Sequence, residues 1–246
     1  MARLRCVVEY DGTGFAGFQV QSGQPQVRTV QGALESAVLA STAAPSRVIG
    51  AGRTDAGVHA AGQVVHFDTD NSWEPAVWQA ALNARLPPDV VIRSVNVAPA
   101  EFHARYSARS REYRYAVYNL PIRSPIVARW TWQVPEPLNV EQMNAAADEC
   151  RGEQDFRAFA ARDNPTSTVR RILRLSCRRF ADIVVVEVTA NAFLRHMVRR
   201  LVGSLVRVGS GRLRPESLRE IIDAKQRGLA GPTVPPAGLC LMKVNY

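Results

Sequence analysis

Lysine is almost missing from this chain. Lys225 and Lys243 are the only two, so nearly all of its 31 side-chain cations are arginine. Cysteine is scarce too. Cys6, Cys150, Cys177 and Cys240 stand far apart with no C-x-x-C spacing, which argues against a zinc site and a disulfide framework. No metal is therefore expected. No apolar run approaches the roughly 20 residues that span a bilayer. The first residues, MARLRCVVEYDGTG, contain no apolar h-region, so neither a signal peptide nor a membrane anchor is expected. Low-complexity tracts and exact repeats are absent. So are the Walker, dinucleotide-binding and H-E-x-x-H motifs, and no cofactor is expected. The expectation is a reduced, cytoplasmic protein of enzyme size.

What the chain has is positive charge. The formal net charge is +9, and between Arg151 and Arg214 there are 14 arginines against five acidic residues. Such an excess suggests a polyanionic partner. Arginine offers planar, two-pronged contacts to phosphate and can stack on bases. A compositional bias of Arg over Lys accounts for the ratio of the two, but not for the surplus of cations.

A length of 246 residues fits one large domain or two small ones. Residues 3–10 read as a strand, and the glycine-rich 11–19 as a turn. Thr29 is placed to cap a helix to about Ala40, with Val30, Leu34, Ala37 and Val38 on one face. Residues 74–86 form a second helix, ended by Pro87-Pro88, and 90–97 a strand. In the second half, strands are expected over 110–119, 169–180, 183–190 and 239–246, with helices over 140–150, 193–208 and 215–227. Residues 121–137 read as a loop with a short strand. Residues 157–169, polar and irregular, read as a candidate RNA-contacting loop. Two α+β halves follow, residues 1–100 and 101–246, each with helices on one face of an antiparallel sheet.

The most informative segment is GAGRTDAGVHA, residues 50–60. One carboxylate, Asp55, sits between Arg53 and Gly57. The glycines let the backbone turn sharply and approach a ligand, and Arg53 supplies a fixed cation. Strand-like residues flank the segment on both sides, and a loop between strands is a common seat of chemistry. An isolated Asp in such a turn would more often bond its own backbone. A whole string of this composition favours a functional reading.

The string resembles the catalytic loop of the TruA family of tRNA pseudouridine synthases, whose signature reads GRTDAGVHA. Four further segments match in order: YDGTGFAGFQ within 9–19, GQVVHF at 62–67, FHARYSARSREYRYAVY at 102–118 and NAFLRHMVRRLVGS at 191–204. Gly238-Leu239 stands where the family has a Gly-Leu pair before its last strand. The resemblance implies a pseudouridine synthase fold, with two ferredoxin-like, RNA-recognition-like halves whose antiparallel sheets join across a central basic cleft. It implies isomerisation of uridine to pseudouridine in tRNA, at positions 38 to 40 of the anticodon arm, by a homodimer without a cofactor. A stacked uridine must be flipped out to be reached.

By the same resemblance Asp55 is the essential catalytic carboxylate and Arg53 fills the space of the flipped base. Tyr113 contacts the base, Arg105 contacts RNA, Arg199 stands against the catalytic carboxylate and Leu239 walls the base pocket. Whether Asp55 attacks sugar or base, or removes a proton, stays open. His59, His66 and His103 are read as structural. Two other readings remain: a non-catalytic RNA-binding protein, and a phosphohydrolase with an Asp nucleophile. The first leaves an acid inside a basic region unexplained. The second needs further metal-binding carboxylates that this loop lacks.

Overall fold

The computed structural model describes residues 1–24, 26–161 and 167–246. The chain is α+β and forms two compact units. The first comprises Met1–Arg109 with Leu241–Tyr246, and the second Ser110–Cys240. Relative to a division at residue 100, the first unit also takes residues 101–109 and Leu241–Tyr246.

The first unit contains β1 (Ala2–Tyr10), α1 (Val30–Thr42), β2 (Ile49–Gly50), β3 (His59–Thr69), α2 (Pro75–Asn83) and β4 (Val90–Ala98). Its strands lie in the order β4-β1-β3-β2, each pair antiparallel. The C-terminal strand β10 (Leu239–Asn245) also neighbours β3. Alternation along β1 sends Leu4, Cys6, Val8 and Tyr10 into the core, as a period of two requires. They share it with Leu34 and Val38 of α1 and Trp78 and Leu82 of α2. Trp78 packs its ring 5.6 Å from that of Phe67. The Thr29 hydroxyl accepts the Gly32 N–H at 3.2 Å. A cap of this kind contributes about 1 kcal/mol. Pro75 opens α2, where its missing N–H costs nothing.

The opposite face of β1 carries Arg3 and Arg5. Arg3 forms a two-pronged pair with Asp68, 2.7 Å in each contact. The Arg5 guanidinium lies 4.8 Å from the Tyr246 ring. Residues 99–107 are clipped over this face: the Ala104 N–H reaches His66 Nδ1 at 3.1 Å, and Tyr246 Oη donates to the Ala104 carbonyl at 2.7 Å.

The second unit contains β5 (Ser110–Tyr118), β6 (Trp132–Gln133), α3 (Val140–Asp148), β7 (Gly152–Asp155), β8 (Val169–Phe180), β9 (Ile183–Ala190), α4 (Met197–Gly209) and α5 (Ser217–Ala224). The order β5-β9-β8-β7 is antiparallel throughout, but β6 joins β5 in parallel. The sheet is therefore mixed rather than purely antiparallel. Tyr115, Leu175, Cys177, Val186 and Val188 meet Met143 and Ala147 of α3, and Met197 and Leu201 of α4, in the core.

Two expectations change, and one strand is added. The four-residue β7, GEQD, has no apolar alternation and falls in no expected element. The helix expected from Phe193 begins only at Met197, because His196 stands at φ 63°, a left-handed conformation that does not continue a helix. The expected loop 157–169 starts with a 3₁₀ turn, Arg157–Phe159, whose Ala158 and Phe159 are fully buried. That part is core, and residues 162–166 of the expected RNA-contacting loop lie outside the described residues.

Candidate active site

The loop carrying Asp55 leaves β2 and enters β3, and its backbone is held at nearly every step. The Ala51 N–H donates to the Val64 carbonyl at 2.8 Å, and the buried Gln63 amide donates to the Gly52 carbonyl at 2.9 Å. The Thr54 carbonyl accepts the Phe18 N–H at 3.1 Å, while its hydroxyl lies 2.8 Å from the Tyr10 phenol in a buried contact. The Gly57 N–H donates to Phe15, and the Val58 N–H closes a turn on the Asp55 carbonyl at 3.1 Å.

Half of these braces, those from Tyr10, Phe15 and Phe18, come from residues 10–18, which explains their composition. Gly17 has φ +102°, and a Cβ there would stand 2.9 Å from the Thr54 carbonyl oxygen. Only glycine lets this segment lie so close to the loop. The segment is itself tied down: Asp11 N–H bonds Asp89 O, Ala16 N–H bonds Arg28 O, and Arg28 pairs with Asp89 while lying 4.0 Å from the Phe15 ring. Within this frame Asp55 is half-buried and Arg53 exposed. A carboxylate and an arginine two residues apart thus share a loop of fixed backbone.

His59 opens β3 and is buried. Its Nδ1 is 3.1 Å from the Gly12 N–H and also 3.1 Å from Asp11 Oδ1. A single ring nitrogen cannot accept from one and donate to the other. Asp11 Oδ1 already accepts from the Thr13 backbone N–H and hydroxyl as the cap of the turn Gly12–Gly14. The Gly12 N–H is the donor in the first contact, so Nδ1 accepts there and ties the ring to the turn Gly12–Gly14. His59 is structural in this arrangement. So is His66, whose Nδ1 accepts from Ala104 and whose pKa burial lowers to about 4, helped by His103 and Arg3 and opposed by Asp68.

Arg105 is exposed on the turn that follows β4, its guanidinium 5.7 Å from the Tyr106 ring. In the second unit, Tyr113, Arg199 and Leu239 gather around one buried side chain, Tyr115. Tyr113 lies two residues before Tyr115 on the same face of β5, half-buried, with the Phe193 ring edge-on at 5.2 Å. Tyr115 donates its hydroxyl to the Pro235 carbonyl at 2.8 Å. The adjacent Val234 carbonyl accepts from Arg199 Nε at 2.7 Å. Burial pushes the Tyr115 phenol well above its ordinary range, with the Arg199 charge opposing, so Tyr115 stays neutral. Leu239 is buried directly after Gly238, where a Cβ would collide with the Tyr115 ring and the Ala116 carbonyl.

The structure therefore brings Arg53 and Asp55 together in one unit, and Tyr113, Arg199 and Leu239 together in the other. Arg105 belongs to the clip over His66. Sequence reasoning missed Phe193 as the ring against Tyr113, and the Val234-Pro235 carbonyls that fix Arg199 and Tyr115. Contacts this distant in sequence leave no local signal. Among the described residues no group of three or more His, Cys, Asp or Glu could hold a metal ion, and no helix is long and apolar enough to cross a membrane.

A family model described as tRNA pseudouridine synthase matches residues 6–107 and 146–246. The chain is 45% identical over 247 residues to the tRNA pseudouridine synthase A of Brevibacillus brevis, covering 100% of both chains. It is 42% identical to the protein of that name from Tolumonas auensis, covering 99% of this chain and 93% of the relative. With that of Coxiella burnetii the identity is 43%, covering 100% and 94%. A chain in a solved structure of an H/ACA RNP bound to a substrate RNA containing 2'-deoxyuridine aligns with TM-score 0.36 and 10% identity; 83% of this chain covers about half, 53%, of that one. Matched along its whole length by these relatives, the chain belongs to the tRNA pseudouridine synthase family, a family of isomerases.

Proposed function

We propose that this protein converts uridine to pseudouridine in the anticodon arm of tRNA, at positions 38 to 40, with Asp55 as the essential carboxylate. The observation that carries the reading is the loop itself: Asp55 sits on a backbone braced from Ala51 to Val58, beside an exposed arginine, in the segment GRTDAGVHA. A preorganised charge costs no reorganisation when the reaction occurs. The reaction breaks the bond from ribose C1' to uracil N1, turns the base and rejoins it through C5. Nothing is oxidised or reduced, and the proton released from C5 balances the one gained at N1. No cofactor is required by that balance.

Arg53 takes the space vacated by the flipped base, where its planar guanidinium can sit in the stack. Tyr113, backed edge-on by Phe193, offers a flat ring to the uracil. Arg199, held at Nε by the Val234 carbonyl, serves the catalytic carboxylate. Leu239 walls the pocket, and Arg105 holds RNA outside it. The two units correspond in this reading to the ferredoxin-like, RNA-recognition-like halves of a pseudouridine synthase. The βαββαβ succession of the first unit and its strand order β4-β1-β3-β2 support that correspondence. So do β5, α3, β8, β9 and α4 in the second, with β5-β9-β8 adjacent. The protein works in the cytoplasm as a homodimer.

The test is unmodified tRNA incubated with the pure protein, derivatised with a pseudouridine-specific reagent and sequenced. Stops at anticodon-arm uridines are expected, without change in RNA mass before derivatisation. Tight binding with no stops would instead identify a non-catalytic RNA-binding protein.

A further inference from the structure

Tyr106 is 77% exposed, although it lies on one of the most firmly bonded turns of the first unit. Its neighbour Ala104 is fully buried, with N–H and carbonyl both bonded, to His66 and Tyr246. The His103 backbone is bonded in both directions to Ser107, at 3.0 and 2.9 Å. The His103 ring accepts at Nδ1 from the backbone N–H groups of Arg105 and Tyr106, at 3.2 and 3.3 Å. A flexible surface loop would let a tyrosine fold back onto apolar surface. This turn instead fixes the side chain outward.

The rings form a ladder from the interior to solvent. His66, buried, lies 4.9 Å from His103, and His103 lies 4.3 Å from Tyr106 at an interplanar angle of 31°. Tyr106 thus rests one side on His103 and turns a large area to solvent. The Arg105 guanidinium stands over the ring, 5.7 Å from its centre. A flat, pre-fixed aromatic with an arginine next to it, on a chain of net charge +9, matches an unpaired nucleobase and its phosphate. An apolar protein segment would gain nothing from the adjacent cation.

We propose that Tyr106 is a stacking platform for an unpaired tRNA nucleobase that is not the isomerised uridine, with Arg105 taking the adjoining phosphate. This rests on the reading of the protein as an enzyme acting on tRNA. The platform acts in binding and not in the chemical step.

The experiment compares wild type, Tyr106→Ala and Tyr106→Phe on one tRNA transcript, measuring Kd and the single-turnover rate at saturating enzyme. Tyr106→Ala should weaken binding roughly 5- to 150-fold, as loss of one base–aromatic stack does, with the saturated rate unchanged. Tyr106→Phe should bind like wild type, since stacking needs only the ring. Thermal midpoints of all three should agree, because the side chain is exposed. Binding by Tyr106→Ala within twofold of wild type would overturn the platform. So would loss of binding in Tyr106→Phe as large as in Tyr106→Ala, which would make the hydroxyl the recognised group. The wild-type control separates the two levels: failure of wild type to isomerise the transcript rejects the proposed function, while unchanged affinity in an active alanine variant rejects only the platform.

Discussion

The phenol oxygen of Tyr10 and the hydroxyl of Thr54 lie 2.8 Å apart in a buried contact, one residue before Asp55. Tyr10 ends β1, so this bond fastens the loop to the sheet. Thr54→Val removes one partner and leaves a buried phenol without it, which costs roughly 1–3 kcal/mol. The expected outcome is a lower melting temperature and a slower single-turnover rate with tRNA affinity retained. Thr54→Ser keeps the hydroxyl and should restore both. Tyr10→Phe combined with Thr54→Val should be less damaging than the two single changes summed, read from a double-mutant cycle. Strict additivity would show that the pair does not act as one brace.

Arg53→Lys keeps a positive charge but loses the planar guanidinium. If Arg53 holds the flipped state, the lysine variant binds tRNA nearly as well and converts uridine much more slowly. The deficit should shrink on a stem whose target uridine is mispaired, because a mismatched base is easier to extrude. Single-turnover rates on paired and mispaired stems measure this. An equal deficit on both would return Arg53 to electrostatic support of the loop.

His66 gives a pH dependence whose sign follows from its lowered pKa of about 4. The unfolded chain binds a proton at that histidine near pH 6.5, which the folded protein refuses. Folding is therefore favoured above pH 6.5, and the stability falls as pH drops from 6.5 towards 4, by roughly 3 kcal/mol at the limit. His103, Arg3 and Asp68 face the ring and set the size of the effect. His66→Gln removes the titration and should flatten that part of the denaturation profile relative to wild type. Parallel profiles for the two proteins would contradict it.

Much of this architecture is legible in the residues, and the reasons differ by element. Thr29 before an apolar face locates α1, and alternation locates β1 and β9, because a cap and a period are local properties. The position of Asp55 is legible from glycine spacing. Its bracing is not, since Tyr10, Phe15 and Phe18 reach the loop only through the fold. Phe159 is fully buried in a stretch that reads as polar loop, because one aromatic among charged residues carries no period. The exposure of Tyr106 is a property of the fold and has no local signal in the sequence.

Asp55→Asn tests the central claim most directly. The amide keeps the shape of the side chain and removes its charge, so the braced loop should fold as before. Pseudouridine formed in tRNA by this variant, measured by derivatisation sequencing under single-turnover conditions, should fall to background. Its affinity for tRNA should equal or exceed that of wild type, since an anion facing phosphate is gone. Turnover near the wild-type rate would contradict the assignment of Asp55 as the essential carboxylate.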